Sequence, residues 1–405
     1  MQQNKIIVIC LGGNQFMESI LIKNAKIYTM DEKGIIERED ILIKDGKIAM
    51  IDNNINEYAD HVIEAKDRLV FPGFIDAHSH IGMWEDSVGF EGADGNEDSD
   101  LVTPHLRAID AINPFDRSFE EAIEGGVTCV ATGPGSANVI GGQFCVIKTF
   151  GKRVDKMVVK EPAAMKVAFG ENPKSVYHEK HQMPQTRMAT AAILREALFK
   201  AREYLNKKLE AQQDEEKDMP EFDIKSESLI KVLTKEIPLK AHTHRADDIF
   251  TAIRIAKEFD VNLTLDHVTD GYLIVDELKQ ENIPCIVGPN LTDRSKVELK
   301  NLDFKNPGIL SKNGILVAIM TDHPVIPQKY LVLCSALACK SGMNEIEALK
   351  AITINPAKIL GIDNKVGSIK EGKDADIVIY KGHPFDIFSE VEYVLIDGKV
   401  VYHRK

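Results

Sequence analysis

Between residues 72 and 365, strand-like apolar runs alternate with helix-like stretches, and this alternation constrains the fold more than any other feature. A chain patterned this way folds as an α/β protein with parallel strands, because each helix carries the chain back across the sheet. Eight strands are expected, near 73–78, 127–132, 143–149, 165–171, 239–244, 262–267, 283–288 and 315–322. Eight is the number that closes a TIM-like (β/α)8 barrel. Helical runs at 190–210, 246–259 and 344–353 lie between them, and the highly charged 209–221 reads as a solvated insertion.

The two ends of the chain share another pattern. Short alternating runs are broken by Asp45-Gly46 near the start and by Asp397-Gly398 near the end, and Asp-Gly between such runs signals a hairpin. Residues 18–71 and 366–405 are therefore expected to form one small β-sandwich domain from both termini, with the barrel at 72–365 as an insertion. Patterned sequence begins only near Met17, so residues 1–17 read as an N-terminal extension, 1–16 of it an over-extended start.

The net charge of −13 argues against nucleic acid, since nothing would neutralise phosphates. The six cysteines form no C-x-x-C pair and mostly lie in apolar runs, which suits buried free thiols in a reducing compartment. The early apolar stretch at 6–11 is too short to span a membrane. The expectation is a cytoplasmic homo-oligomer acting on a small-molecule substrate, with neither nucleic acid nor membrane as partner.

The chemistry-bearing residues share one placement. His78 and His80, Glu171, His242 and His244, His267 and Asp322 each fall at the C-terminal end of an expected strand, the rim where barrel active sites form. His-x-His on a strand sets both rings on one side. Neutral imidazoles suit zinc and related divalent ions, and a carboxylate can bridge two ions or move a proton from an activated water to a leaving nitrogen. Asp322, on the last strand, suits that proton transfer.

Three motifs occur in order: Phe71-Pro-Gly-Phe-Ile-Asp-Ala-His78-Ser-His80, Asn355-Pro-Ala-Lys-Ile-Leu-Gly361 and Glu371-Gly-Lys-Asp-Ala-Asp-Ile-Val. Together they resemble the amidohydrolase superfamily over nearly the whole chain, nearest to its imidazolonepropionase-like and prolidase-like hydrolases. The resemblance implies a metal-activated water attacking an amide or imine carbon. It implies metal contacts at His78, His80, His242 and His267, with Asp322 as ligand and general base. The cofactor implied is zinc, as one or two divalent ions, with manganese or iron as alternatives. On the fourth strand, Lys166 (in carboxylated form) and Glu171 lie on opposite faces, so only one can line the interior, and Glu171 is favoured because it sits nearer the rim.

Lys174, Tyr177, Arg187 and Arg245 are candidate substrate contacts, and His244 a catalytic residue facing substrate. The glycine-rich 133–143 can bring backbone amides to a substrate, and 84–100 reads as a lid. The resulting function is hydrolysis of a C–N bond in a cyclic amide, N-acyl or dipeptide-like compound. Deamination of a nucleobase-like heterocycle is the alternative. Related deaminases carry a glutamate three residues after the fifth-strand histidine, where this chain has Arg245. A non-catalytic scaffold is disfavoured because every expected ligand position is filled.

Overall fold

The computed structural model describes residues 18–404, so the expected extension at 1–17 lies outside the described residues. The chain opens with strands β1 (Ile20–Tyr28), β2 (Ile35–Lys44), β3 (Lys47–Asp52), β4 (His61–Glu64) and β5 (Leu69–Pro72). Eight barrel strands follow: β6 (Phe74–Ser79), β7 (Val127–Thr132), β8 (Ile140–Lys148), β9 (Val158–Ala168), β10 (Leu239–Thr243), β11 (Leu263–His267), β12 (Cys285–Val287) and β13 (Val317–Ile319). β14 (Ile377–Lys381), β15 (Glu390–Ile396) and β16 (Lys399–His403) end the chain.

Both termini build one hydrogen-bonded sheet, ordered β16-β15-β14-β5-β1-β2-β3, with β4 also on β1. Both chain ends contribute to this one connected sheet, and its pairing does not by itself establish the expected small β-sandwich. The sheet branches at β1, whose Ile20–Lys23 half pairs with β4 while Lys26 and Ile27 pair with β5. The two Asp-Gly turns have left-handed backbones and abut, with Ala375 N donating to the Gly46 carbonyl and Gly398 N to that of Ala375. Ile22, Ile27, Ile41, Ile43, Ile48, Ile377 and Ile379 form the core of this unit.

The second sheet runs β6 through β13 in chain order as a near-closed barrel. One strand departs from the parallel expectation: β8 is antiparallel to both β7 and β9. The cause is loop length. The links from β7 to β8 and from β8 to β9 are shorter than the roughly dozen residues that a parallel crossover requires. Between β13 and β6 the ring is bridged by Asp76, which accepts hydrogen bonds from Thr321 N (3.0 Å), Thr321 Oγ1 (2.7 Å) and Gln328 Nε2 (2.7 Å). His80 N adds a bond to the His323 carbonyl at 3.0 Å.

Helices α1 (Arg117–Glu124), α2 (Glu171–Glu179), α3 (Arg187–Gln213), α4 (Ile224–Leu233) and α5 (Ala246–Phe259) accompany the first half of the barrel. α6 (Val275–Glu281), α7 (Asn306–Lys312), α8 (Leu331–Lys340), α9 (Glu345–Lys350) and α10 (Ile354–Leu360) accompany the second. α5 illustrates why these segments coil. It buries Ile249, Ala252, Ile253, Ala256 and Phe259, a helical stripe, with Asp247 and Asp248 in its first turn and left-handed Asp260 at its end. No helix among the described residues is long and apolar enough to cross a membrane.

The reversed β8 carries Lys148 to the end of the barrel that meets the terminal sheet. There the buried ammonium lies 2.8 Å from Asp376, 3.0 Å from Asp397 and 3.2 Å from Asp374. Burial favours the neutral amine, but Asp376 and its neighbours outweigh it and hold Lys148 protonated far above the ordinary lysine range. The aspartates of the third motif thus serve as a clamp. The second motif is also architectural, since Asn355 Nδ2 donates to the Val317 carbonyl on β13 (2.9 Å) and left-handed Gly361 ends α10.

Candidate metal centre

Alternation along the strands decides which side chains enter the barrel. On β9, Met165 and Val167 pack with Leu194, Leu198 and Leu229 of the helical layer, which turns Lys166 inward. On β10 the same rule sends Leu239 and Ala241 outward and Lys240 and His242 inward. Lys166 and Lys240 both lie over the Phe144 ring, their Nζ atoms 5.5 and 5.4 Å from its centroid. Strand ends break the rule. His267, Val268 and Asp322 adopt φ of 71°, 50° and 55°, conformations that cost non-glycine residues, valine above all. That turn at β11 lets the consecutive Asp266 and His267 both face the interior.

Two groups of ligand-bearing side chains result: His242, His244 and His267, and His78, His267 and Asp322, each with its ligand atoms within 4.8 Å of one another. His267 belongs to both. Asp322 Oδ1 lies 3.2 Å from Nε2 of His78 and 3.2 Å from Nε2 of His80. Second partners fix the rings. His80 Nδ1 donates to the Gly133 carbonyl (2.7 Å) and His267 Nδ1 to that of Gly288 (2.9 Å), so Nε2 of each is the free lone pair. His78 Nδ1 is 2.9 Å from Asp266, and His244 Nδ1 pairs with Thr269 Oγ1 at 2.7 Å.

The electrostatics keep His78, His242, His244 and His267 neutral. Burial, reinforced by Lys166, holds His78 below the usual range and His242 well below it. Burial and the neighbouring His242 push His244 down to about 3 and hold His267 well below normal. Burial alone would raise Asp322, but its contacts with His78 and His80 prevail and hold it well below the usual carboxylate range. Asp266 likewise resists burial, with Lys240 at 2.9 Å and His78 stabilising its charge. Burial lowers Lys166 to about 8 against the pull of Asp266 and Asp322.

The donor set fits a divalent ion. Neutral imidazoles and an ionised carboxylate are the ligand types such ions take, and His267 Nε2 and His242 Nδ1 are buried without a hydrogen-bond partner.

Of the expected residues, His78, His80, His242, His244, His267 and Asp322 converge. Glu171 does not. β9 ends at Ala168, Gly170 turns the chain with φ of 79°, and Glu171 becomes the first residue of α2, exchanging contacts with the Glu298 backbone and carboxylate. The fourth-strand residue at the cluster is Lys166, its Nζ 3.4 Å from His78 Nε2. None of the four expected substrate contacts lines the histidine cavity. Tyr177 is buried and donates to the Asp100 carbonyl (2.9 Å), Arg187 pairs with Asp248 (2.9 Å) and Arg245 with Asp247 (2.9 Å). Lys174 joins Arg187, Arg245 and Glu171 in a separate pocket of about 210 Å³.

The histidines open into a cavity of about 310 Å³. The 84–100 segment contributes Trp84 and Asn96 to its wall and is pinned by Gly135 N on the Gly95 carbonyl (2.8 Å) and by Asn138 on those of Glu97 and Asp100. The 133–143 loop does bring backbone to the site through Gly133, where a Cβ would sit 2.2 Å from the Phe144 ring. Four residues that the sequence did not single out complete the site: Asp266 behind His78, buried Glu298 3.7 and 3.6 Å from His242 and His244, and Asn172 and Lys296 at the wall. Asp266 adjoins a predicted ligand in sequence, while Glu298 and Lys296 sit in a loop that carries no strand signal.

A near-closed barrel whose rim carries a histidine–aspartate cluster that could hold a metal ion is a hydrolase architecture. The Amidohydrolase family profile matches residues 69–401, and the chain belongs to that family, whose members act on C–N bonds and generally use divalent metals. An amidohydrolase from Thermotoga maritima MSB8 superposes with a TM-score of 0.92 at 47% identity, covering 95% of this chain and 100% of that one. A Xaa-Pro dipeptidase structure with bound methionine shares the fold at a TM-score of 0.58 and 17% identity, over 95% and 100% of the two chains. Amidohydrolase tasK of Hapsidospora irregularis is 28% identical over 393 residues, which is 89% of this chain and 39% of that longer protein.

Proposed function

We propose that this chain is a divalent-metal-dependent hydrolase that cleaves a C–N bond in a small cyclic amide, N-acyl or dipeptide-like compound. The observation that carries the reading is Asp322 Oδ1, 3.2 Å from both His78 and His80, beside buried imidazoles held neutral. His78, His80, His242, His267 and Asp322 would hold one or two ions, with His244 adjoining and Lys166 on the fourth strand. When bound, zinc, manganese or iron polarises the substrate carbonyl and brings the pKa of a ligated water from about 15.7 towards 7.

The chain's own groups do the rest. Asp266, kept anionic by Lys240, orients His78 so that Nε2 faces the centre. Asp322 accepts the proton of the attacking water as the O–C bond forms, then delivers it to the departing nitrogen as the C–N bond breaks. Lys166 lies where a carboxylated lysine would replace a cation with an anionic ligand, and its lowered basicity favours the free amine needed to take up carbon dioxide.

Arg245 is engaged with Asp247 outside the cavity, which supports hydrolysis over deamination. The test is a panel of N-acyl amino acids, cyclic amides, dipeptides and aminated heterocycles offered to zinc- and manganese-loaded protein. Amine or amino-acid release is the expected result. Ammonia release confined to the heterocycles would replace hydrolysis with deamination.

A further inference from the structure

The cavity wall carries a cation that the reaction does not use. Lys296 lines it, half-buried, and is in no ion pair among the described residues. Its Nζ donates to Asn172 Oδ1 at 2.6 Å. Asn172 is held in turn, with Nδ2 donating to Ser136 Oγ at 2.6 Å and lying 3.4 Å from His242 Nε2. The ammonium is thus oriented beside the histidine cluster with two N–H groups to spare.

The charge balance points the same way. Among the lining residues Asp322 is the one carboxylate, against Lys166 and Lys296. Even with buried Glu298 counted, a bound divalent ion leaves a positive surplus while Lys166 is uncarboxylated. Thr292 and Ser295 stand near Lys296 in the chain on the same wall, while Trp84, Pro289, Pro324 and Val325 supply its apolar part. A small molecule that is apolar at one end and anionic at the other suits such a lining.

We propose that Lys296, positioned by Asn172, seats a carboxylate of the substrate, so that the enzyme takes N-acyl amino acids or short peptide-like amides with a free carboxylate near the scissile C–N bond. This rests on the hydrolase reading above. It moves substrate-anion recognition from Arg187, Lys174 and Arg245, which face a different pocket, to a residue on the loop after β12.

The experiment compares N-benzoylglycine with N-benzoylglycinamide, in zinc-loaded wild-type protein and in Lys296→Met and Lys296→Arg. Binding is read by calorimetry in an Asp322→Asn background, and turnover in the parent. Losing a charge-assisted hydrogen bond is worth roughly 10- to 100-fold in affinity. The wild type should therefore prefer the carboxylate by about that factor, Lys296→Met should abolish the preference mainly through KM, and Lys296→Arg should retain part of it. Equal binding of the two compounds by Asp322→Asn protein with Lys296 intact, or a preference that survives Lys296→Met, overturns the assignment. Failure of the hydrolase reading looks different: neither compound is turned over, yet calorimetry still reports whether the carboxylate is seated by Lys296.

Discussion

Replacing Lys148 with methionine tests how the barrel is fastened to the terminal sheet. Lys148 lies 2.8 Å from Asp376, and both side chains are almost fully buried. At an effective dielectric of about 20, that contact represents roughly 6 kcal/mol of gross attraction, much of it offset by desolvation. Methionine keeps most of the volume but leaves Asp376 buried without its counter-ion, with Asp374 and Asp397 close by. Breaking a buried pair from one side costs about 3–5 kcal/mol. Burial already raises the Asp376 carboxyl with Lys148 in place, so the variant's Asp376 will protonate at still higher pH. A raised folded-state pKa favours folding below the unfolded value, and that advantage is lost as pH rises through the folded value. The penalty should therefore be full near pH 8 and shrink towards pH 5, and Asp376→Asn in the same chain should relieve part of it. Equilibrium urea unfolding across that range measures this. A loss under about 1 kcal/mol, or one that ignores pH, would refute the claim that the clamp is a buried charge pair.

Three further outcomes are expected. Asp322→Asn should lower kcat by roughly 100- to 10,000-fold while leaving most of the bound metal by elemental analysis, and metal loss in proportion to activity would argue that Asp322 serves only as a ligand. Asp266→Asn should weaken zinc binding by about 10- to 100-fold in chelator competition, because His78 loses the partner that orients it. In metal-free protein, Lys166 has its pKa lowered from 10.5 to about 8, so its contribution to folding is present above 10.5 and lost as pH falls to 8. Apo Lys166→Met should accordingly be the more stable protein at pH 7, by about 3 kcal/mol, and the gap should narrow towards pH 10 in thermal melts.

The histidines were legible because each falls at the end of a strand, where for all but His267 the period of two sets the face, and the motif order supplied the architecture. Where the sequence reading failed, a local backbone event had intervened. Glu171 looked closer to the rim than Lys166 only while β9 was drawn through to 171; Gly170 ends that possibility by turning the chain. Asp266 was masked by its neighbour, since adjacent strand residues should face opposite ways, and the left-handed His267 cancels that rule. The antiparallel β8 was readable in principle from its two short connections. Glu298, Lys296 and Asn172 lie in a loop and at a helix start, where no periodicity says which way a side chain turns.

The reversed strand divides labour along its own length. In a barrel of uniformly parallel strands, one end faces the chemistry and the other the scaffold, so changes after each strand retune function and changes before it retune durability. β8 inverts that map. Its leading end, near left-handed Gly142 where a Cβ would meet the Leu106 carbonyl at 2.6 Å, belongs to the working rim, whereas its trailing Lys148 belongs to the anchor. Anyone diversifying this protein by grafting loops after strands would, at this one strand, loosen the foundation instead of reshaping the pocket.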